Sequence, residues 1–210
     1  HGRAVRRGHD EDAVRAAMTG CEAVFYCVVD TRAWLRNPAP LFRTNVDGLR
    51  RVLDIAADAG LNRFVFTSTI GAVAVGEGGS AATEDDPFNW PGKGGPYIES
   101  RRQAEDLVLH YARERGLPAV AMCVSNTYGP RDWQPTPHGS MVAAAALGRT
   151  PVYVDGVGSE VVGVEDVGDV RDVDGEEAGA NECAVGGGAH GRRRPTFGEG
   201  GREARDELRS

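Results

Sequence analysis

The chain has 210 residues, a formal net charge of −7 and 40% hydrophobic residues, enough apolar side chain for one globular domain and too much for a mainly disordered chain. The acidic balance excludes a general polyanion binder, which needs a concentrated basic face, and the one basic cluster is the triplet at 192–194. No apolar run reaches the roughly 18 to 20 residues of a membrane span and no basic, apolar leader opens the sequence, so the expectation is a cytoplasmic protein with neither membrane nor nucleic-acid partners.

In chain order, Asp10 caps a short helix through Val14 and Met18 that Gly20 ends. Residues 23–29 (A-V-F-Y-C-V-V) are a continuous apolar run of strand length, the pattern of a strand buried on both faces. A helix follows over about 41–59, with Leu49, Val52, Leu53 and Ala56 at i, i+3, i+4 and i+7 and Gly60 beyond its end. Residues 64–69 (F-V-F-T-S-T) predict a second buried strand. Residues 71–96 carry Gly, Ser, Asp and Pro without a period and predict a long loop, which in a compact domain is usually functional. The next helix begins near Tyr97, turns Ala104, Leu107, Val108 and Tyr111 to one face and stops at Gly116. Then come a third buried strand at 118–124, a turn-rich loop at 126–137 and a small-residue helix at 141–147.

This β-α-β-α-β order predicts a parallel sheet in an α/β layer. Short strands at 151–154 and 161–164 are expected in a substrate-side lobe. Past about Asp169 the chain turns glycine-rich and polar, which predicts a disordered tail. Cys21, Cys27, Cys123 and Cys183 form no C-x-x-C pair and the five histidines lack metal-ligand spacing, so buried free thiols and no metal are expected.

In an open parallel sheet, ligands bind beyond the carboxyl ends of the strands, here residues 27–30, 67–69 and 124–130. Thr67, Ser68 and Thr69 put three hydroxyls at one such edge. Tyr97 and Arg101 lie one turn apart on the same helix face, and a cation beside a phenol favours the ionised phenol. A tyrosine so placed exchanges a proton with a substrate alcohol or carbonyl while Ser or Thr hydrogen-bonds the same oxygen. Taken singly, the Tyr–Arg pair reads as a packed ring with a snorkelling cation, and T-S-T as an ordinary turn. Their order, from buried strand and T-S-T through a long loop to a Tyr-x-x-x-basic helix, a buried strand and N-T-Y-G-P, carries the catalytic reading.

The stretches A-V-F-Y-C-V-V-D, F-R-T-N-V-D-G-L-R-R-V-L-D-I-A, R-F-V-F-T-S-T-I-G-A-V, P-Y-I-E-S-R-R-Q-A-E, S-N-T-Y-G-P-R-D and V-V-G-V-E-D-V together resemble the extended short-chain dehydrogenase/reductases of the NAD(P)-dependent epimerase/dehydratase family, over about residues 10–167. The Trp34 region and G-P-R-D-W-Q-P-T-P-H-G are most similar to its dihydroflavonol reductase-like branch, which includes hopanoid-associated sugar epimerases. The resemblance implies a partial Rossmann-like, doubly wound parallel sheet lacking its first βαβ unit, with a small substrate-side lobe. The division falls between residues 1–167 and the tail at 168–210. It implies NAD or NADP as cofactor, a ketone or alcohol of a flavonoid-, steroid- or sugar-like small molecule as substrate, and a homodimer through the helices at 41–59 and 97–116. Thr69 stands at the family's catalytic Ser/Thr position, with Ser68 a neighbouring alternative. Tyr97 stands at the acid/base, and Arg101 where the family uses a lysine that hydrogen-bonds the cofactor ribose. Asn45 lies in the helix whose asparagine supports the site. Val28, Val29, Thr67 and Val124, with Tyr97 and Arg101, are implied to contact cofactor, and Arg131 and Gln134 to face substrate.

The sequence departs from that pattern in three places. Arg101 carries lysine's charge on a bulkier planar fork. No G-x-x-G-x-x-G turn is present to hold a pyrophosphate: Gly71, Gly76, Gly78 and Gly79 follow a different strand, and the glycines at 186–188 lie in the polar tail. After Val167, G-D-V-R-D-V-D-G-E-E-A-G stands in place of an apolar helix, which predicts a truncated start and a C-terminal stretch read out of frame. The alternative reading is therefore an inactive Rossmann-like fragment or a non-enzymatic binding module.

Overall fold

Asp10 is extended, and its carboxylate accepts the Ala13 amide at 3.1 Å; this cap starts α1 (Glu11–Met18), which buries Val14 and Met18. The structure, a computed structural model, describes residues 10–76, 78, 80–83, 85–132, 136–150, 155, 160–168 and 183–184. After β1 (Ala23–Tyr26), α2 (Ala39–Phe42) runs through a π-helical segment (Arg43–Gly48) into α3 (Leu49–Ala57). Next come β2 (Arg63–Thr69), α4 (Gly95–Arg115) and β3 (Ala119–Val124). The remaining elements are β4 (Asn126–Tyr128), α5 (Pro137–Ala146), β5 (Val161–Gly163), α6 (Val164–Gly168) and β6 (Cys183–Ala184).

β1, β2, β3 and β6 form one sheet in that order, every pair parallel. Parallel neighbours need long crossovers, and the helices between the strands supply them. Helices α1, α3 and α4 cover one face, where Leu49, Leu53, Phe64, Phe66, Ala104 and Val108 are fully buried. Each such side chain stabilises the fold by about 1.5 to 3 kcal/mol, alanine less. On the other face a smaller cluster of Val65, Val120, Met122 and Val124 packs against Val162 and Val167. Gly116 ends α4 in the left-handed region (φ 64°), and its amide closes on the Tyr111 carbonyl.

Several expectations change. The run at 23–29 is not a strand buried on both faces: β1 stops at Tyr26, pairs only with β2 among the described residues, and leaves Phe25 60% exposed. An apolar sequence makes a strand, but its burial depends on neighbours. The helix expected from 41 starts at Ala39 and contains the π-helical segment, and the one expected at 141–147 spans Pro137–Ala146. The loop expected at 126–137 contains β4, which pairs in parallel with β5 to make a second, two-stranded sheet. Cys21 and Cys27 are free thiols but not buried, Cys27 being exposed, and Cys123 is disulfide-bonded. The strand expected at 151–154 lies outside the described residues, as does the tail except for α6's last residue, Gly168, and β6. Among the described residues no helix is long and apolar enough to cross a membrane.

Candidate functional site

Tyr26 is level with Phe66, and Thr69 with Val124, so the chain leaves β1, β2 and β3 at one edge of the sheet. Cys27 Sγ there lies 3.2 Å from Thr67 Oγ1. Val28 and Val29 follow, 41% and 39% exposed, while Val124 is buried in the smaller cluster. Thr69 is extended, and its Oγ1 accepts the Gly71 amide at 3.2 Å, which starts a 3-10 turn over Ile70–Ala72. That oxygen is an acceptor to the backbone, so its O–H is left to donate outward. Ser68 alternates to the opposite face, is buried, and donates its hydroxyl to Glu105 Oε2. Of the two candidates, Thr69 keeps a hydroxyl for the edge.

One glycine lets this turn close against the start of α4. A Cβ on Gly71 would stand 2.5 Å from Ile98 Cδ1. Without a side chain there, the turn after Thr69 closes on the first turn of α4, where Tyr97 is half-buried. Asn45 fixes the same turn from below. It is fully buried, accepts the Asp30 amide at 2.7 Å, and donates to the Asp30 carbonyl at 3.1 Å and to Ser100 Oγ at 3.0 Å. Ser100 passes its own hydrogen to the Tyr97 carbonyl at 2.7 Å. Asn45 therefore ties the segment after β1 to the turn that carries Tyr97, and it does so from a π-helical segment, a distortion often found at functional sites.

Arg101 is 2% exposed. Its Nη2 donates to the Thr67 carbonyl, its guanidinium lies 4.7 Å from the centre of the Phe66 ring, and its Nη1 is buried without a hydrogen-bond partner among the described residues. Burial pushes the guanidinium below its ordinary value, against the pull of Tyr97, Glu105 and Tyr26. Burial also pushes Tyr26 up to about 12, opposed by Arg101 and Arg51. The structure thus brings Thr67, Thr69, Tyr97 and Arg101 to one strand end. Arg131 stands apart from them, in a cleft of about 580 Å³ between the β4 segment, α5 and Val164. It is exposed and takes a left-handed backbone (φ 70°), uncommon for a residue with a side chain. Gln134 lies outside the described residues. Sequence reasoning missed Glu105 and Ser100; Glu105 had a signal, since it follows Arg101 by four positions on the same helix face.

A family model described as the NAD dependent epimerase/dehydratase family matches residues 8–173. Among known proteins, one from Synechocystis sp. that carries a dihydroflavonol 4-reductase name is 32% identical over 152 residues, which cover 71% of this chain and 43% of that protein. Among solved structures, the crystal structure of gox2253 matches with a TM-score of 0.70 and 34% identity, over 79% of this chain and 50% of that one. A Bacillus anthracis dTDP-glucose 4,6-dehydratase in complex with NAD shares the fold, with a TM-score of 0.62 and 23% identity over 84% and 54% of the two chains. The chain spans about half the length of the relatives it matches.

Proposed function

Because the chain belongs to the NAD-dependent epimerase/dehydratase family, we propose that it carries the reacting half of an NAD(P)-dependent oxidoreductase acting on a ketone or alcohol carbon of a flavonoid-, steroid- or sugar-like small molecule. The observation behind this reading is the closure of the Thr69 turn on the turn that carries Tyr97, with each held by a part-buried hydrogen bond. When bound, the nicotinamide exchanges a hydride with the carbinol carbon. The Tyr97 phenol gives its proton to the carbonyl oxygen in reduction and takes one from the alcohol in oxidation, while the Thr69 O–H donates to the same oxygen and holds it in place. Arg101 keeps a positive charge beside the phenol. Val28 and Val29, both partly exposed, offer an apolar wall that keeps water from the reacting carbon, and Arg131 meets the rest of the substrate.

The residues present fit the nicotinamide side of such a cofactor. Arg101 Nη1 is a buried donor with no partner among the described residues, the atom left to meet a ribose hydroxyl, and Thr67 stands beside it. The pyrophosphate side has no glycine-rich turn in this sequence, and no step is assigned to it. A second reading, a binding module without turnover, is favoured by the same arginine, because Thr67 and Phe66 already engage most of its fork.

Titrating the purified chain with NADH and NADPH while following nicotinamide fluorescence separates the two. The enzyme reading expects saturable binding, with Tyr97→Phe leaving affinity within about twofold and lowering turnover by about 10²- to 10⁴-fold. A flat titration up to millimolar cofactor overturns that reading for this chain and leaves the binding module.

A further inference from the structure

Glu105 lies two turns beyond Tyr97 on the face of α4 that carries Arg101, inside the contact between α4 and β2. Carboxylates are rare in such places unless they are hydrogen-bonded and paired. This one is hydrogen-bonded, its Oε2 accepting the Ser68 hydroxyl, and its charge is among those that favour a charged Arg101. Burial still pushes its carboxyl above the ordinary glutamate value, with Asp106 adding to the rise and Ser68 and Arg101 opposing it. A group kept there against that cost points to a role other than filling space.

We infer that Glu105 is a positioning residue of the proposed site, one that holds Ser68 inward and the Arg101 charge in place and so sets where the Thr69 hydroxyl stands. The inference rests on the reading that Thr69 and Tyr97 are the reacting pair. Its physical basis is the two-residue period of a strand, in which fixing one side chain toward the helix fixes the next toward the opposite side. Arg101 clamps the Thr67 carbonyl, Glu105 clamps the Ser68 hydroxyl, and Thr69 is the next residue. The end of β2 is then gripped at two successive residues by two successive turns of one helix.

Amide hydrogen exchange on the full chain, without cofactor, tests this in Glu105→Ala, Ser68→Ala, the double variant and Glu105→Gln. Exchange at residues 69–72 should rise about tenfold in each single alanine variant, while residues 49–57 keep their protection. The double variant should go no faster than Glu105→Ala alone, since Ser68→Ala removes only a link that Glu105→Ala has already broken. Glu105→Gln, which keeps an acceptor oxygen for Ser68, should restore the original exchange at 69–72. A rise shared equally by 49–57 and 69–72, additive effects in the double variant, or a Gln variant as fast as the Ala variant would each overturn the inference. If Glu105→Ala does not fold, Ser68→Ala and Glu105→Gln still decide: the first must loosen 69–72 and the second must not. Because no nicotinamide is present, a flat cofactor titration would sink the enzyme reading and leave this result standing, and the reverse also holds.

Discussion

Helices α4 and α5 invert what their compositions suggest. α4 (Gly95–Arg115) is studded with charge, including Glu99, Arg101, Arg102, Glu105 and Asp106, yet it buries Ser100, Arg101, Ala104, Leu107, Val108 and Tyr111. α5 (Pro137–Ala146, P-H-G-S-M-V-A-A-A-A) has no Asp, Glu, Lys or Arg, yet none of its residues is buried, and Met141 and Val142 are 57% and 50% exposed. The difference lies in what each helix faces. α4 spans a crossover between two central parallel strands and must lie on the sheet, whereas α5 follows β4, which among the described residues belongs to a two-stranded sheet with little surface to cover a helix. Burial is therefore a property of topology, and the one charged residue of α4 that topology buries, Arg101, lies at the candidate site.

The largest effect that would break this comparison is a single truncation in α4. Val108 is fully buried in the main core, so Val108→Ala loses two methyl groups and leaves a cavity. We expect a cost of about 2 kcal/mol, read by urea unfolding. A cost below about 0.5 kcal/mol would mean that α4 is not anchored as described.

What could be read in the sequence follows the same division. The strands β2 and β3, the start of α1, and Gly116 as the stop of α4 were legible because each depends on local pattern or on a residue type that a cap requires. Thr69, Tyr97 and Arg101 could be proposed as a group because strand end and helix start are ordered along the chain. The exposure of β1, the pairing of β4 with β5, and the inward turn of Arg101 were not, because each is decided by a neighbour distant in sequence. Asn45 shows both sides. Its helix was predicted, but the π-helical segment that places it against Asp30 and Ser100 has no sequence pattern of its own.

A smaller effect sharpens the comparison through pH. Glu105 in the folded chain titrates above 4.5 because of burial, and in the unfolded chain at the ordinary value. The stability tied to its protonated form is therefore full below about pH 4.5 and is lost as pH rises through the folded value. Asp30 runs the other way: the Arg32 hydrogen bond holds it below 3.8, so its contribution is present above that pH and fades only as pH falls further. The two windows do not overlap. Unfolding free energy measured by urea across pH 4 to 7 should thus contain a falling component that Glu105→Gln removes. An unchanged slope in that variant would show that the carboxyl is solvated rather than buried in the α4 contact.

The smallest expected effect is the most exacting test, because it repeats the chemistry of Val108→Ala on the other helix. Val142 is 50% exposed and borders the cleft that contains Arg131. Truncating it removes the same two methyl groups from a side chain that has no core to lose, so Val142→Ala should change unfolding free energy by less than about 0.5 kcal/mol. If it costs as much as Val108→Ala, then something outside the described residues covers α5, and the contrast between the two helices disappears. If it costs nothing, α5 presents an apolar wall that the fold does not consume. Under the proposed function that wall is available to a substrate held beside Arg131, and the same variant should then raise KM while leaving kcat within about twofold, the signature of lost uniform binding.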